Sequence, residues 1–281
     1  MARLGITTSL SPWDIAALRF GVAGLLLLPA LLRKGLGLDR LGWTGLAAIT
    51  LGGGAPMVLL ANAGLVFAPA AHAGALFPGV MPIMVALLAL IVLQERFSRM
   101  RTCGLLLIVV GVFVIVGGAG ATLGTRQNIG HLLFMGAALL WAVYTVTMRR
   151  ARLDGVHAAA LAAVSSLMVY VPLFFVFGHA SLLAAPWRDA VLQGFVQGVL
   201  TAVISLVLYG RAVSILGASS AASFAALVPA MTALMAIPVM GEVPARHDWV
   251  GIMLISLGVY AVSDGPTPVW IKHRGCADPR S

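Results

Sequence analysis

Ala70 to Glu95 reads AAHAGALFPGVMPIMVALLALIVLQE, and its interpretation decides the fold. The stretch carries no formal charge before Glu95. An uncharged apolar run of this length predicts a membrane-spanning helix. A second copy, Gly217 to Glu242, reads GASSAASFAALVPAMTALMAIPVMGE and follows 147 residues later. Phe77 aligns with Phe224, Pro82 with Pro229 and Glu95 with Glu242. The register continues without a gap into the next apolar run, pairing Gly104 with Gly251 and Gly111 with Gly258. Roughly a third of the aligned positions are identical, which marks an internal repeat rather than shared composition. Two copies of one membrane unit are therefore expected.

The bulk composition agrees. Of 281 residues, 60% are hydrophobic and 10% charged, with a mean hydropathy of +1.02. Such values exclude an ordinary soluble domain. A net charge of +9 would point to nucleic acid in a soluble protein. Here the basic residues lie between apolar runs, so a membrane topology bias explains them and no nucleic-acid partner is expected. Cys103 sits in an apolar segment and Cys276 in the tail, which forms neither a disulfide framework nor a metal site. The N-terminus lacks the pattern of a secretory signal peptide.

Nine spans are expected, at about 10–32, 43–67, 70–94, 102–118, 129–149, 157–177, 190–212, 218–240 and 247–263. Ser11, Pro12 and Asp14 form a helix-start signature for the first. Four spans precede a Gly/Thr-rich linker at 119–128 and five follow it. The units are thus 1–118 and 129–263, with a loose basic tail at 264–281. Aligning the halves leaves span 129–149 without a full partner, so the sequence is expected to begin inside the end of a first helix. Alternate loops carry thirteen basic residues, from Arg33, Lys34 and Arg40 to Lys272, Arg274 and Arg280; the opposite loops carry only Arg126, Arg188 and Arg246. That bias places the first set, and the C-terminus, in the cytoplasm of a multi-pass inner-membrane protein. Glu95 and Glu242 then lie on opposite sides, as an inverted repeat requires.

The stretches Leu10–Phe20, Pro82 to Glu95, Leu139–Arg150 and Leu208–Glu242 together resemble the EamA-type carriers of the drug/metabolite transporter superfamily. Within it the chain is most similar to bacterial YddG-type exporters of aromatic and other neutral amino acids. The resemblance implies an all-α fold of two inverted five-helix repeats, a central cavity, alternating access and no enzyme activity.

The nine carboxylates fall at expected helix ends, in loops or in the tail. A proton- or sodium-coupled carrier usually keeps an acid at depth, so facilitative export is expected. Glu95 and Glu242 are read as helix anchors or gate contacts. Arg19 is the one strong base inside a span. It could hold a substrate carboxylate, bond backbone carbonyls or snorkel outward. His72 is a candidate ligand contact or a helix-packing residue, while the other histidines are expected at interfaces. Gln193, Gln197, Thr201, Ser205 and Tyr209 recur at steps of four, as a cavity lining or as interhelical glue; Asn62 is a thinner counterpart in the first half. Trp141 at mid-depth, Tyr144, Phe77 and Phe224 could stack on a ligand or simply pack. Pro56, Pro78, Pro82 and Pro229 are candidate hinges or plain kinks. No cofactor is expected. The partners are a small-molecule substrate and the lipid bilayer, with monomer and homodimer both open. Besides amino acids, another metabolite, a drug or a nucleotide sugar stays open as substrate, as does a non-transporting role.

Overall fold

The computed structural model describes residues 2–94, 98–118, 126–177, 181–205, 208 and 224–263. The expectations on Glu95, Tyr209 and the tail lie outside these residues, as does most of the linker. The described residues are helical throughout, with no strand. In order they form α1 (Ala2–Thr8), α2 (Pro12–Lys34), α3 (Leu38–Gly53), α4 (Ala55–Phe67), α5 (Ala70–Val92) and α6 (Arg99–Gly118). Then follow α7 (Arg126–Arg150), α8 (Gly155–Val176), α9 (Ser181–Ala184) and α10 (Trp187–Gln193). Without interruption α10 runs into a π-helix, Gly194–Ile204. A 3-10 turn, Phe224–Ala226, leads into α11 (Leu227–Met240), and α12 (Arg246–Val262) closes the described chain.

Six of these segments are long and apolar enough to cross a bilayer, with α3 and α4 counting as one of 30 residues. The expected span 190–212 is described only in part. The last two expected spans appear as the shorter α11 and α12. Because α7 begins at Arg126, the last three residues of the expected linker are helical. Leu32, Phe113, Leu132 and Val176 stand exposed on the outer faces, where acyl chains replace water and such side chains cost nothing.

Local chemistry explains the boundaries. The Ser11 hydroxyl accepts from Asp14 N at 3.2 Å, and Ser11 N donates to Asp14 Oδ2 at 2.7 Å, so the capping box read in the sequence starts α2. The expected single span 43–67 is broken. Gly54 is extended (φ −100°, ψ −154°), and Pro56 sits in the first turn of the new helix rather than inside one. The break leaves Ala55 N without an intrahelical carbonyl, and buried Ser166 Oγ on α8 accepts it at 3.0 Å.

The repeat is written into the packing. A Cβ on Gly104 would lie 2.7 Å from Gly258 O, and one on Gly111 2.8 Å from Gly251 O. The pairing 104–258, shifted by one repeat length, becomes 251–111. A pseudo-twofold axis demands that crossing, and small residues permit it. The last helices of the two repeats, α6 and α12, thus cross antiparallel at their glycines.

Candidate functional site

α2, α7, α8 and the π-helix enclose a cavity of about 370 Å³. Five of the residues singled out in the sequence line it: Arg19, Trp141, Tyr144, Thr201 and Ser205. Phe20, Ala23, Leu27, Ala159 and Ala162 supply an apolar wall that sequence reasoning did not name. These positions carry no polarity or periodicity that sets them apart from helix–helix contacts.

Each polar group is positioned for a local reason. Trp141 and Tyr144 are one helical turn apart on α7, with ring centroids 5.2 Å apart and planes tilted by 47°. Gly52 and Gly53 make room for that aromatic pair: a Cβ on Gly53 would meet the Tyr144 ring at 2.7 Å. Thr201 and Ser205 satisfy their hydroxyls on carbonyls five residues back, Val196 O and Leu200 O, both at 2.8 Å. That spacing belongs to the π-helix, a rare form frequent at functional sites. Trp141 also borders a smaller cavity of about 180 Å³, with Pro82 and Arg101 among its walls. Its indole therefore stands between two chambers.

Arg19 is the exception to satisfied chemistry. It is half-buried in α2, and its guanidinium carbon lies 6.0 Å from the centroid of the neighbouring Phe20 ring. Among the described residues it makes no hydrogen bond and no ion pair, and no acid lines the cavity.

Other candidates lie elsewhere. Asn62 is buried and ties α4 to the start of α2 through Pro12 O at 3.4 Å, a long bond. Gln197 is buried away from the cavity, because a stripe at steps of four winds around its helix and cannot all face one side. Phe77 packs between both hydrophobic cores, whereas Phe224 is exposed, so this repeat-related pair does not frame the cavity from two sides. Pro78 and Pro82 lie within a continuous α5, and Pro229 is buried in α11. Glu242 accepts from Ala70 N at 2.8 Å and pairs with Arg3 at 3.0 Å, so it anchors the start of α5.

His72 belongs to a separate cluster. Its Nε2 lies 3.0 Å from Asp248 Oδ1, and its Nδ1 3.0 Å from both His131 Nε2 and Gln127 Nε2. Asp248 also caps α12 through Ala245 N at 2.9 Å and meets His247 Nε2 at 3.3 Å. His72, His131 and Asp248 are 3%, 2% and 5% exposed. His131, expected at an interface, lies near the start of α7 but is buried in the helix packing, in contact with His72 of α5. Asp248 does start a helix, as expected, but it is buried there. No local spacing links positions 72, 131 and 248, so only the tertiary fold could bring them into view.

The profile of the EamA-like transporter family matches residues 1–117 and 128–264. The uncharacterized transporter YyaM of Bacillus subtilis is 28% identical over 267 residues, covering 90% of this chain and 85% of its own. A probable terminal-alkyne amino-acid exporter of Streptantibioticus cattleyicolor is 29% identical over 209 residues, covering 73% and 68% respectively. One solved crystal structure superposes with a TM-score of 0.58 at 20% identity, over 92% of this chain and 89% of its own, a likeness of fold alone. With nearly the whole chain matched in two segments, this multi-pass membrane protein belongs to the EamA-like transporter family.

Proposed function

We propose that this transporter exports small neutral amino acids, aromatic ones foremost, by alternating access through the cavity between α2, α7, α8 and the π-helix. One observation carries the reading: Arg19 lines that cavity, and among the described residues its guanidinium has no hydrogen-bond or ion-pair partner. A cation inside a membrane needs a counter-charge, and a substrate carboxylate supplies one through paired hydrogen bonds. The Trp141 and Tyr144 rings offer a flat apolar face for the side chain, while the Thr201 and Ser205 oxygens accept from the ammonium. A volume of about 370 Å³ lies in the small-molecule range of roughly 300–1,000 Å³. The name of the Streptantibioticus cattleyicolor relative supports an amino acid. A nucleotide sugar would need more than one base at the cavity, and a cationic drug would be repelled by Arg19.

Counterflow in proteoliposomes tests this reading. Vesicles preloaded with unlabelled neutral amino acids should accelerate entry of labelled phenylalanine. Arg19→Gln should weaken half-saturation by about 10- to 100-fold, the worth of a charge-assisted bond, with Arg19→Lys intermediate. Equal half-saturation in wild type and Arg19→Gln would remove the carboxylate role, and no exchange with any amino acid would sink the substrate class.

A further inference from the structure

Asp248 is a buried acid whose side-chain partners are two imidazoles, His72 at 3.0 Å and His247 at 3.3 Å, beside its cap bond from Ala245 N. We propose that His72, His131 and Asp248 form a proton-binding site that couples transport to the pH outside the membrane. This rests on the reading of the chain as an exporter and replaces the expectation of uncoupled export.

The chain of contacts runs Asp248 Oδ1, His72 Nε2, His72 Nδ1, His131 Nε2, with 3.0 Å at each gap between residues. With Asp248 ionised and both rings neutral, His72 Nε2–H donates to Asp248, and His72 Nδ1 accepts a bond shared between His131 Nε2–H and Gln127 Nε2–H. His131 Nδ1 is then a bare lone pair. It is fully buried and has no hydrogen-bond partner among the described residues. In that state the cluster carries one uncompensated negative charge. One proton taken from water onto His131 Nδ1 makes an imidazolium and brings the cluster to neutrality, with no other bond made or broken. Burying a paired charge costs less than burying a lone one, so the fold favours occupancy by a single proton.

Among the described residues the surroundings supply no rival counter-ion. From α7, Gln127 Nε2 reaches His72, and Arg126 lies against the Phe67 ring at 5.9 Å. From α12, His247 touches Asp248 but is half-exposed and rests on Gly118 at the end of α6; Arg246 points to the surface. Arg3 is engaged by Glu242 at the start of α5. Neither α4 nor α11 carries a titratable residue. The three residues lie within two turns of the starts of α5, α7 and α12. On the loop-charge topology, all three starts face outward. Protonation therefore clasps three helix ends on the outer side, and proton release loosens them. A ligand that binds one packing better than the other shifts the balance between inward- and outward-open states.

The test uses the full chain. Nitrogen NMR of histidine side chains in detergent micelles should show His72 and His131 taking up one shared proton. In Asp248→Asn the midpoint should fall by about 1 pH unit or more, the effect of losing a neighbouring negative charge. In proteoliposomes, a pH gradient should drive labelled phenylalanine against its concentration in wild type. His131→Gln, which keeps a polar group in place, should lose that drive while retaining counterflow at equal pH within about threefold. Histidines that titrate independently, with a midpoint unmoved in Asp248→Asn, would overturn the site. So would counterflow that is normal in wild type yet indifferent to the gradient. A shared titration without exchange of any amino acid would uphold the proton site and overturn the substrate reading instead.

Discussion

Ser166 stands where α3 gives way to α4, and its hydroxyl accepts the Ala55 N–H that the break exposes. Inside a bilayer no water replaces a lost partner. Ser166→Ala should therefore cost roughly 1–3 kcal/mol, the penalty for an unsatisfied buried donor. It should appear as a lower thermal unfolding midpoint in detergent, and an unchanged midpoint would show that the break is held by something else. Pro56 marked this break in the sequence, and only glycine fits at Gly54, where a Cβ would collide with Thr50 O. Its acceptor was not legible, since Ser166 lies 111 residues away and looks like any small residue in an apolar helix. The cavity follows the same division. Arg19, Trp141 and Tyr144 stand out in sequence because charge and a mid-depth indole are anomalous in lipid. His131 and Asp248 looked ordinary, because a helix end near the interface excuses a polar residue. Burial in the helix packing, with His72 of α5 touching both, is what removes the excuse.

The π-helix is the element whose form sequence periodicity does not reveal. A four-residue polar step winds about its helix and cannot all face one cavity, and Gln193 and Gln197 are buried while Thr201 and Ser205 stay at the cavity. Gly198 lets this bulky element lie against α2: a Cβ there would come within 2.5 Å of Val22 Cβ, a branch point that cannot rotate away. Gly198→Ala should therefore push the π-helix off α2, at about 1–3 kcal/mol of stability. Exchange should fall with it, because Thr201 and Ser205 move as part of the same rod. Adding Val22→Gly removes that Cβ and should recover the exchange and most of the stability, less the roughly 1 kcal/mol that a glycine inside a helix costs. If the double variant is no better than Gly198→Ala alone, helix–helix spacing is not what Gly198 provides.

At the scale of the molecule, polar contacts and loop charges make one topology. Lys34 pairs with Asp154 at 2.6 Å and His157 reaches Gly35 O at 2.8 Å, all at ends that the charge bias assigns to the cytoplasm. Glu242, Arg3 and Ala70 meet at ends it assigns outward, as do Ser9 and Asp189. None of these contacts joins an inward end to an outward one. The glycine crossing of α6 and α12 carries the same symmetry into the core. Arg99 and Arg246 make the sharpest test, because they are repeat mates, 147 residues apart, and both are exposed at helix starts. Inversion sends these equivalent residues to opposite sides of the membrane. In a chain with Cys103 and Cys276 changed to Ser, Arg246→Cys should react in intact cells with a maleimide that cannot cross the membrane. Arg99→Cys should react only after the membrane is opened. Labelling of both from outside, or of neither, would break the inversion and with it the outward placement of the His72–Asp248 cluster.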